Sequence, residues 1–329
     1  MASSSESTLT GILTALGISI ATYYAYNILS FLHLYILHRS TISRYLASDP
    51  SASETRSWAL ITGASDGIGL GFAHELASHG FNIILHGRSP TKLAAVETAL
   101  KTQYPKISTR LFVLDVYPPN TAAIDDYVRG LANDGVRVRV LVNNIGGPTL
   151  TGSPAFRPLT SLMAVDIQKL FELNVGFPTL LTRALLPAMR EPALVLNIGS
   201  FVARVPGPLL SVYAGCKAFN MSWSRSLGVE LRAEGRQVEV IGLLVGEVQS
   251  SQHRELKGPL VCTSRVLARS ALNRIGCGKH TVVPWWRHAA TLALVEHLPD
   301  ALLDRIMAGS STTRMEKDKR LLEIQKRRL

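Results

Sequence analysis

Six short apolar runs, at residues 58–62, 82–86, 111–116, 139–143, 193–198 and 238–244, alternate with stretches that read as helices, such as 70–78, 91–100 and 122–131. Parallel strands need a long crossover, and a helix supplies it. The alternation therefore implies an α/β fold: a doubly wound parallel sheet with helices on both faces. No internal repeat or extended low-complexity tract interrupts it. The 329 residues are 47% hydrophobic, ample for one sizeable core, and with 18% charged residues the chain is not expected to be disordered.

Ahead of the alternation the charge pattern has a gap: no Lys, Arg, Asp or Glu occurs between Glu6 and Arg39. Within it, residues 9–37 are rich in Leu, Ile, Ala and Tyr. About 20 apolar residues cross a bilayer as a helix, so this stretch is long enough, although His33 and several hydroxyls dilute it. A cleaved signal peptide should open on positive charge, but the first charged residue is Glu6. A buried helix of a soluble protein would be oddly long and uncapped. A transmembrane anchor fits best, with residues 1–8 as an N-terminal tail. His38, Arg39 and Arg44 follow, and positive flanks favour the cytosolic side. The N-terminus is thus expected in the lumen and the folded domain in the cytosol.

Residues 38–56 read as a polar linker, 57–250 as the single α/β domain, 251–310 as a loop with C-terminal helices, and 311–329 as a basic tail. The net charge of +11 suits acidic partners such as nucleotides, coenzyme A or anionic lipid. The sequence has no zinc-finger spacing or arginine-rich recognition helix, so nucleic acid is not an expected partner. Cys216, Cys262 and Cys277 are odd in number and form no CxxC pair, which argues against a disulfide framework and a zinc site. His74, His79 and His253 show no metal-ligand pattern, and no metal is expected.

The first strand runs into Thr62-Gly63-Ala64-Ser65-Asp66-Gly67-Ile68-Gly69 and then a helix. Glycines let backbone approach a pyrophosphate, and the helix N-terminus supplies unpaired N–H groups. The spacing is G-x-x-x-G-x-G, and the strand–helix context is what gives it weight. After the second strand stands His86-Gly87-Arg88-Ser89, with no carboxylate to hold a ribose 2′-hydroxyl. Arg88 can instead pair with a 2′-phosphate, which predicts NADPH over NADH. A solvent-exposed loop arginine is the plainer alternative.

Ser200 ends the fifth strand. Tyr213 lies thirteen residues on, and Lys217 four residues beyond it, on the same helix face. A carbonyl receiving hydride builds negative charge on oxygen. Tyr213 can protonate that oxygen, and a Lys217 cation is expected to lower the phenol's pKa. Ser200 can hydrogen-bond and orient the substrate oxygen.

With this trio downstream of a nucleotide loop, residues 58–250 resemble the short-chain dehydrogenase/reductase family, which implies a Rossmann-type sheet. The resemblance implies further contacts: Asp115 to adenine, Asn144 of Asn143-Asn144-Ile145-Gly146 to the cofactor, and Asn174 as holder of a proton-relay water. Val248 and Ser250 fall where the nicotinamide carboxamide is held. Tyr213 and Lys217 serve cofactor as well as catalysis. Ile145 stands where the family has alanine, and Val245-Gly246 where it has Pro-Gly.

More narrowly, the anchor, the segment 206–217, Arg274-Ile275-Gly276-Cys277-Gly278 and Pro284-Trp285-Trp286 resemble the membrane-bound branch. That branch holds very-long-chain 3-oxoacyl-CoA reductases and related hydroxysteroid dehydrogenases. It implies a location in the endoplasmic reticulum, and Lys326-Arg327-Arg328-Leu329 loosely resembles a retrieval signal. The expected activity is reduction of a ketone on a long hydrophobic substrate, 3-oxoacyl-CoA in fatty-acid elongation first among them. A steroid, polyketide or other specialised ketone is the alternative, and an inactive nucleotide-binding scaffold the remote one. Leu260, Val261 and Val266 are candidates for an apolar substrate slot, or for simple core packing. In the family, helices before the fifth and sixth strands often build a homodimer.

Overall fold

The computed structural model describes residues 2–46, 56–150, 153–250 and 258–326. Residues 47–55 of the expected linker, His253 with the rest of 251–257 in the expected substrate loop, and the terminal Arg327, Arg328 and Leu329 lie outside them.

The six expected strands form within a few residues of their sequence positions. They are β1 (Trp58–Ile61), β2 (Asn82–Gly87), β3 (Thr109–Val113), β4 (Val138–Asn143), β5 (Ala193–Ile198) and β6 (Val238–Leu243). Every residue of β1, β2 and β5 is buried, as a parallel sheet covered on both faces requires. Alternation assigns the faces. Ala59 and Ile61 join one apolar cluster with Phe72 and Leu76 of α2 (Gly67–Ser78) and Leu93 of α3 (Pro90–Gln103). Trp58 and Leu60 join the opposite cluster, with Ile124 of α4 (Thr121–Asn133), Leu181 of α6 (Phe177–Leu185) and Leu231 of α7 (Ser211–Ala233). Between α4 and α6 runs α5 (Ala164–Phe171), which ends in a π-turn, Glu172–Gly176.

The sheet order is β3-β2-β1-β4-β5-β6 with a seventh strand beside β6, and all pairings are parallel. The seventh strand, β9 (Thr281–Val282), was not expected; it is two residues long, too short to show a periodicity. A separate pair joins β7 (Val248–Gln249) to β8 (Cys262–Thr263) and leads into α8 (Ser264–Leu272). On α2, the Glu75 carboxylate is 3% exposed and receives Arg265 at 2.7 Å and Arg269 at 3.1 Å from α8. Two helices that flank the nucleotide loop are thereby tied together.

Among the described residues, one helical stretch, Leu9–Leu37, is long and apolar enough to cross a membrane. It comprises most of α1 (Ala2–Leu32) and a π-turn, His33–Leu37. Leu34, in that last turn, enters the same core cluster as Ile61. The segment expected as a linker does not start out free. Ile42 and Tyr45 are buried. Ser40 Oγ donates to Leu272 O at 2.5 Å, and Tyr45 Oη to Glu239 Oε2 at 2.5 Å. Its hydroxyls find carbonyl and carboxylate partners, so polar composition here does not mean solvation.

Two helices complete the chain, α9 (Trp286–Val295) and α10 (Asp300–Lys326). The expected basic tail is the second half of α10. Leu303, Met307, Ser311, Arg314 and Asp318 recur on one side of it at helical spacing, and that side faces the domain.

Candidate active site

The candidate residues gather at one edge of the sheet, on the loops and helix starts that follow β1 to β6. Strand order reverses between β1 and β4, which opens a crevice at that edge.

At its floor, Thr62 Oγ1 accepts from Asn144 N and Ile145 N, both at 2.9 Å. Asn144 Nδ2 donates to Thr62 O at 2.9 Å and to Gly63 O at 3.3 Å. Asn144 therefore braces the glycine loop. A Cβ on Gly69 would stand 2.2 Å from Gly63 O, so only glycine lets α2 start this close to the loop. Ser65, Asp66, Gly67 and Ile68 are half-buried along the loop. Ser250 packs above it, with its Cβ 3.3 Å from where a side chain on Gly67 would begin, and Val248 is half-buried in β7. Asp66, Gly67, Ser250 and Ser264 bound a hollow of about 300 Å³. A hollow of about 550 Å³ lies elsewhere, between Arg56, His79, Tyr104 and Lys106, where none of the candidates stands.

Arg88 is exposed directly after β2. His86, two residues earlier, is fully buried and stacks 4.8 Å from Phe177, so burial pushes its imidazole down to about 3. Asp115 is exposed after β3, and its Oδ1 accepts from Tyr117 N at 3.3 Å.

Ser200 comes directly after Gly199 at the end of β5, close enough for its hydroxyl to act on the Tyr213 phenol. Lys217 is 3% exposed; its Nζ donates to Ile198 O at 2.9 Å and sits 5.6 Å from the Tyr213 ring centre. The expected lowering of the phenol's pKa is overturned. Burial pushes Tyr213 up to about 12, opposed by the Ser200 hydroxyl, while burial pushes Lys217 down to about 8. Desolvation sets the direction of the phenol's shift, while the ammonium donates to a main-chain carbonyl. A phenol in that state holds its proton at neutral pH and can donate it.

Asn174 is fully buried at the centre of the π-turn. Its Oδ1 accepts from Gly147 N at 2.9 Å, and its Nδ2 donates to Gly147 O at 3.0 Å and Leu170 O at 2.9 Å. Gly146 is pressed between two of the candidate side chains. Its φ is +152°, and a Cβ there would stand 2.6 Å from Asn174 Oδ1 and 3.0 Å from Lys217 Nζ.

Behind these groups runs a buried polar chain that sequence reasoning missed. Asn220 Nδ2 donates to Asn174 O at 3.0 Å, and Ser224 Oγ to Asn220 O at 2.6 Å. Asn197 Nδ2 donates to Ser224 Oγ, and Asn143 Nδ2 to Asn197 Oδ1, both at 2.8 Å. The signal was present. Lys217, Asn220 and Ser224 continue the Tyr213 face of α7, where a core helix would carry apolar residues.

The outer side of the cleft was also missed. Arg314 of α10 pairs with Glu247 after β6 and lies 5.8 Å over the Phe156 ring from the β4 side. Asp318 Oδ2 accepts from Ala155 N at 3.2 Å, and Met307 packs in a cluster with Phe201, next to Ser200. Helix α10 thus spans the mouth of the site. The expected apolar slot is not enclosed: Leu260 is 48% and Val266 43% exposed.

Residues 57–258 match the family model described as short chain dehydrogenase. The very-long-chain 3-oxoacyl-CoA reductase of Pyricularia oryzae is 34% identical over 84% of this chain and 82% of its own. That of Coprinopsis cinerea is 33% identical over 85% and 82%. A solved Sphingobium yanoikuyae short-chain dehydrogenase in complex with NADPH has a TM-score of 0.59 at 26% identity, covering 74% of this chain and 97% of that one. A 7beta-hydroxysteroid dehydrogenase shares the fold with a TM-score of 0.66 at 18% identity, covering 77% and 96%. The matched residues include the glycine loop, Asn174, Ser200, Tyr213 and Lys217, and the chain belongs to the short-chain dehydrogenase family.

Proposed function

We propose that the protein reduces the 3-oxo group of a long-chain acyl-CoA to a 3-hydroxyl during fatty-acid elongation, with NADPH as reductant. The observation that carries the reading is the convergence of Ser200, Tyr213, Lys217 and Asn174 at the end of β5, beside a glycine loop. The names of the relatives support the substrate class. The residues present fit the cofactor. The close approach of Gly69 to Gly63 O leaves a bare backbone cradle for the pyrophosphate, and Arg88 is an exposed cation where a 2′-phosphate would lie. Gly63, Ser65, Asp66, Gly67, Ile68 and Gly69 would hold the phosphates, Asp115 the adenine side, Asn144 the loop, and Val248 and Ser250 the carboxamide. When bound, NADPH supplies the hydride.

The chain's own groups do the rest. Ser200 donates a hydrogen bond to the ketone oxygen and fixes its direction. Tyr213 gives its phenolic proton to that oxygen as negative charge develops, so the carbonyl becomes an alcohol and the phenol a phenolate. The Lys217 ammonium stabilises the phenolate, and Asn174 holds the Gly147 backbone in place beside it. The Tyr213 proton is replaced from solvent by way of a water at Asn174. Apolar exposure on α5 and α7, at Phe171, Phe219 and Val229, supports a homodimer. We place the protein in the endoplasmic-reticulum membrane, with Leu9–Leu37 as its single span and the domain in the cytosol.

The test uses the full chain in detergent with NADPH and a 3-oxoacyl-CoA, beside a panel of steroid and polyketide ketones. Tyr213→Phe is expected to lower 3-oxoacyl-CoA turnover by about 10²–10⁴-fold while NADPH still binds. Unchanged turnover in that variant would remove the proposal. Turnover only on the other ketones would move the substrate to that class. Arg88→Ala is expected to weaken NADPH far more than NADH; equal losses would cancel the role given to Arg88.

A further inference from the structure

The apolar helix α1 is joined to the domain without slack. Tyr35 Oη donates to Val283 O at 2.6 Å, directly after β9. Arg274 donates to Leu34 O and lies 4.9 Å over the Tyr35 ring. Thr41 N donates to Ile275 O at 3.1 Å and His38 Nε2 meets the same oxygen at 3.0 Å. The last turn of the helix and the residues directly beyond it both touch the domain, so no free tether separates the two.

Three residues after Val283 the surface changes character. Trp286 is 50% exposed. Arg287 lies 5.3 Å over its ring and 5.5 Å over that of Trp285, and donates to Pro259 O at 2.9 Å. Leu260, the next residue, is 48% exposed, and its carbonyl meets His288 Nε2 of α9 at 3.0 Å. Two turns further along α9, on the Trp286 side, Leu294 is 74% exposed. Trp285 itself packs on the core cluster that includes Leu34 and Tyr35. A half-exposed tryptophan under a guanidinium, beside exposed leucines, is the composition of a headgroup-level surface: the ring is apolar in body and polar at its edge, and the cation meets phosphate.

We propose that this face, formed by Trp286, Leu260, Leu294 and Arg287, rests on the lipid headgroup layer of the bilayer that α1 crosses. The domain would then touch the membrane at a second place and be held at a fixed tilt. The argument for lipid over another occupant is continuity. The face begins three residues from the carbonyl that receives Tyr35, so it adjoins the end of α1 where that helix meets the domain. The proposal rests on the reading of α1 as a span.

The test reconstitutes the full chain in vesicles of phosphatidylcholine and phosphatidylserine whose acyl chains carry bromine near the headgroup. The chain has four tryptophans, and Trp58 is buried. Brominated lipid is expected to quench wild-type emission. Trp286→Phe should abolish most of that quenching, Trp223→Phe should leave it, and Leu294→Trp should add to it. Ketone turnover in Trp286→Phe reports that the variant is folded. Quenching unchanged by Trp286→Phe and not increased by Leu294→Trp would overturn the proposal. So would a Trp286 shielded from both bromolipid and aqueous acrylamide, which would give the face to a second copy of the chain. Release by alkaline carbonate would refute the span itself; retention in the membrane with no bromolipid quenching would refute only the docking face.

Discussion

Lys217 and Arg274 are both cations withdrawn from water, 3% and 9% exposed, and both donate to a main-chain carbonyl. Neither meets a carboxylate among the described residues. Burial pushes both below their ordinary pKa. The consequences differ. An ammonium pushed to about 8 can lose its proton near neutral pH, whereas a guanidinium stays charged. At the carboxyl edge of the sheet, the titratable cation stands beside Gly146 and below Tyr213. At the β9 edge, the permanent cation is stacked on Tyr35 and holds two pieces of the protein together. Lysine stands where its charge can respond to pH, and arginine where the charge is fixed.

The largest expected break in this comparison is Lys217→Met. Ketone reduction should fall by about 10²–10⁴-fold, read as kcat/KM at constant NADPH. In the wild type, reduction should decline as pH rises through about 8, where the buried ammonium loses its proton. The same variant tests the energetics. The folded-state pKa lies below the ordinary 10.5, so the folded protein binds fewer protons than the unfolded chain between pH 8 and 10.5. Burying the charge costs stability below pH 8, and that cost, on the order of 3 kcal/mol, fades as pH climbs through the window. Denaturation measured across that range should show wild type gaining on Lys217→Met. A constant difference would mean that the ammonium is not desolvated.

Gly146→Ala comes next. Its Cβ would press on Asn174 Oδ1 and Lys217 Nζ in a backbone conformation that alanine resists. A loss of about 10-fold or more in turnover and about 1–3 kcal/mol in stability is expected. The smallest effect is expected for Arg274→Lys, which keeps the charge and loses the planar fork over Tyr35. It should lower stability by about 1 kcal/mol and leave ketone turnover at the wild-type value. A turnover defect in Arg274→Lys would show that the two cations are not independent.

Much of the sheet was legible because its signals are local. The runs at 58–62 and 193–198 are nearly all apolar and end where Thr62 and Ser200 turn the chain out. The site's residue types were legible for the same reason, since hydroxyl, phenol and ammonium stand at strand ends and on one helix face. The illegible parts depend on distance. The Asn143–Asn197–Ser224–Asn220 chain joins β4, β5 and α7; the polar positions on the α7 face were a local signal, but nothing local named their partners on the two strands. The direction of the Tyr213 shift turned on how far the fold withdraws the phenol from water, which no local pattern shows. Thr281 and Val282 join the sheet because β6 offers an edge, not because two residues have a pattern. Ser40 and Tyr45 looked like linker because their partners, Leu272 and Glu239, lie some two hundred residues away.

The core cluster on the α2 side has a practical consequence for handling the protein. It contains Leu34, Ile42 and Tyr45 from ahead of residue 57, and Leu267, Leu272 and Ile275 from beyond residue 258. Trimming the gene to the stretch that matches the family would therefore peel apolar side chains off both sides of a finished interior. The shortened polypeptide would keep its reactive groups and display raw hydrocarbon to water, so a soluble version should retain residues 34–46 and the three closing helices.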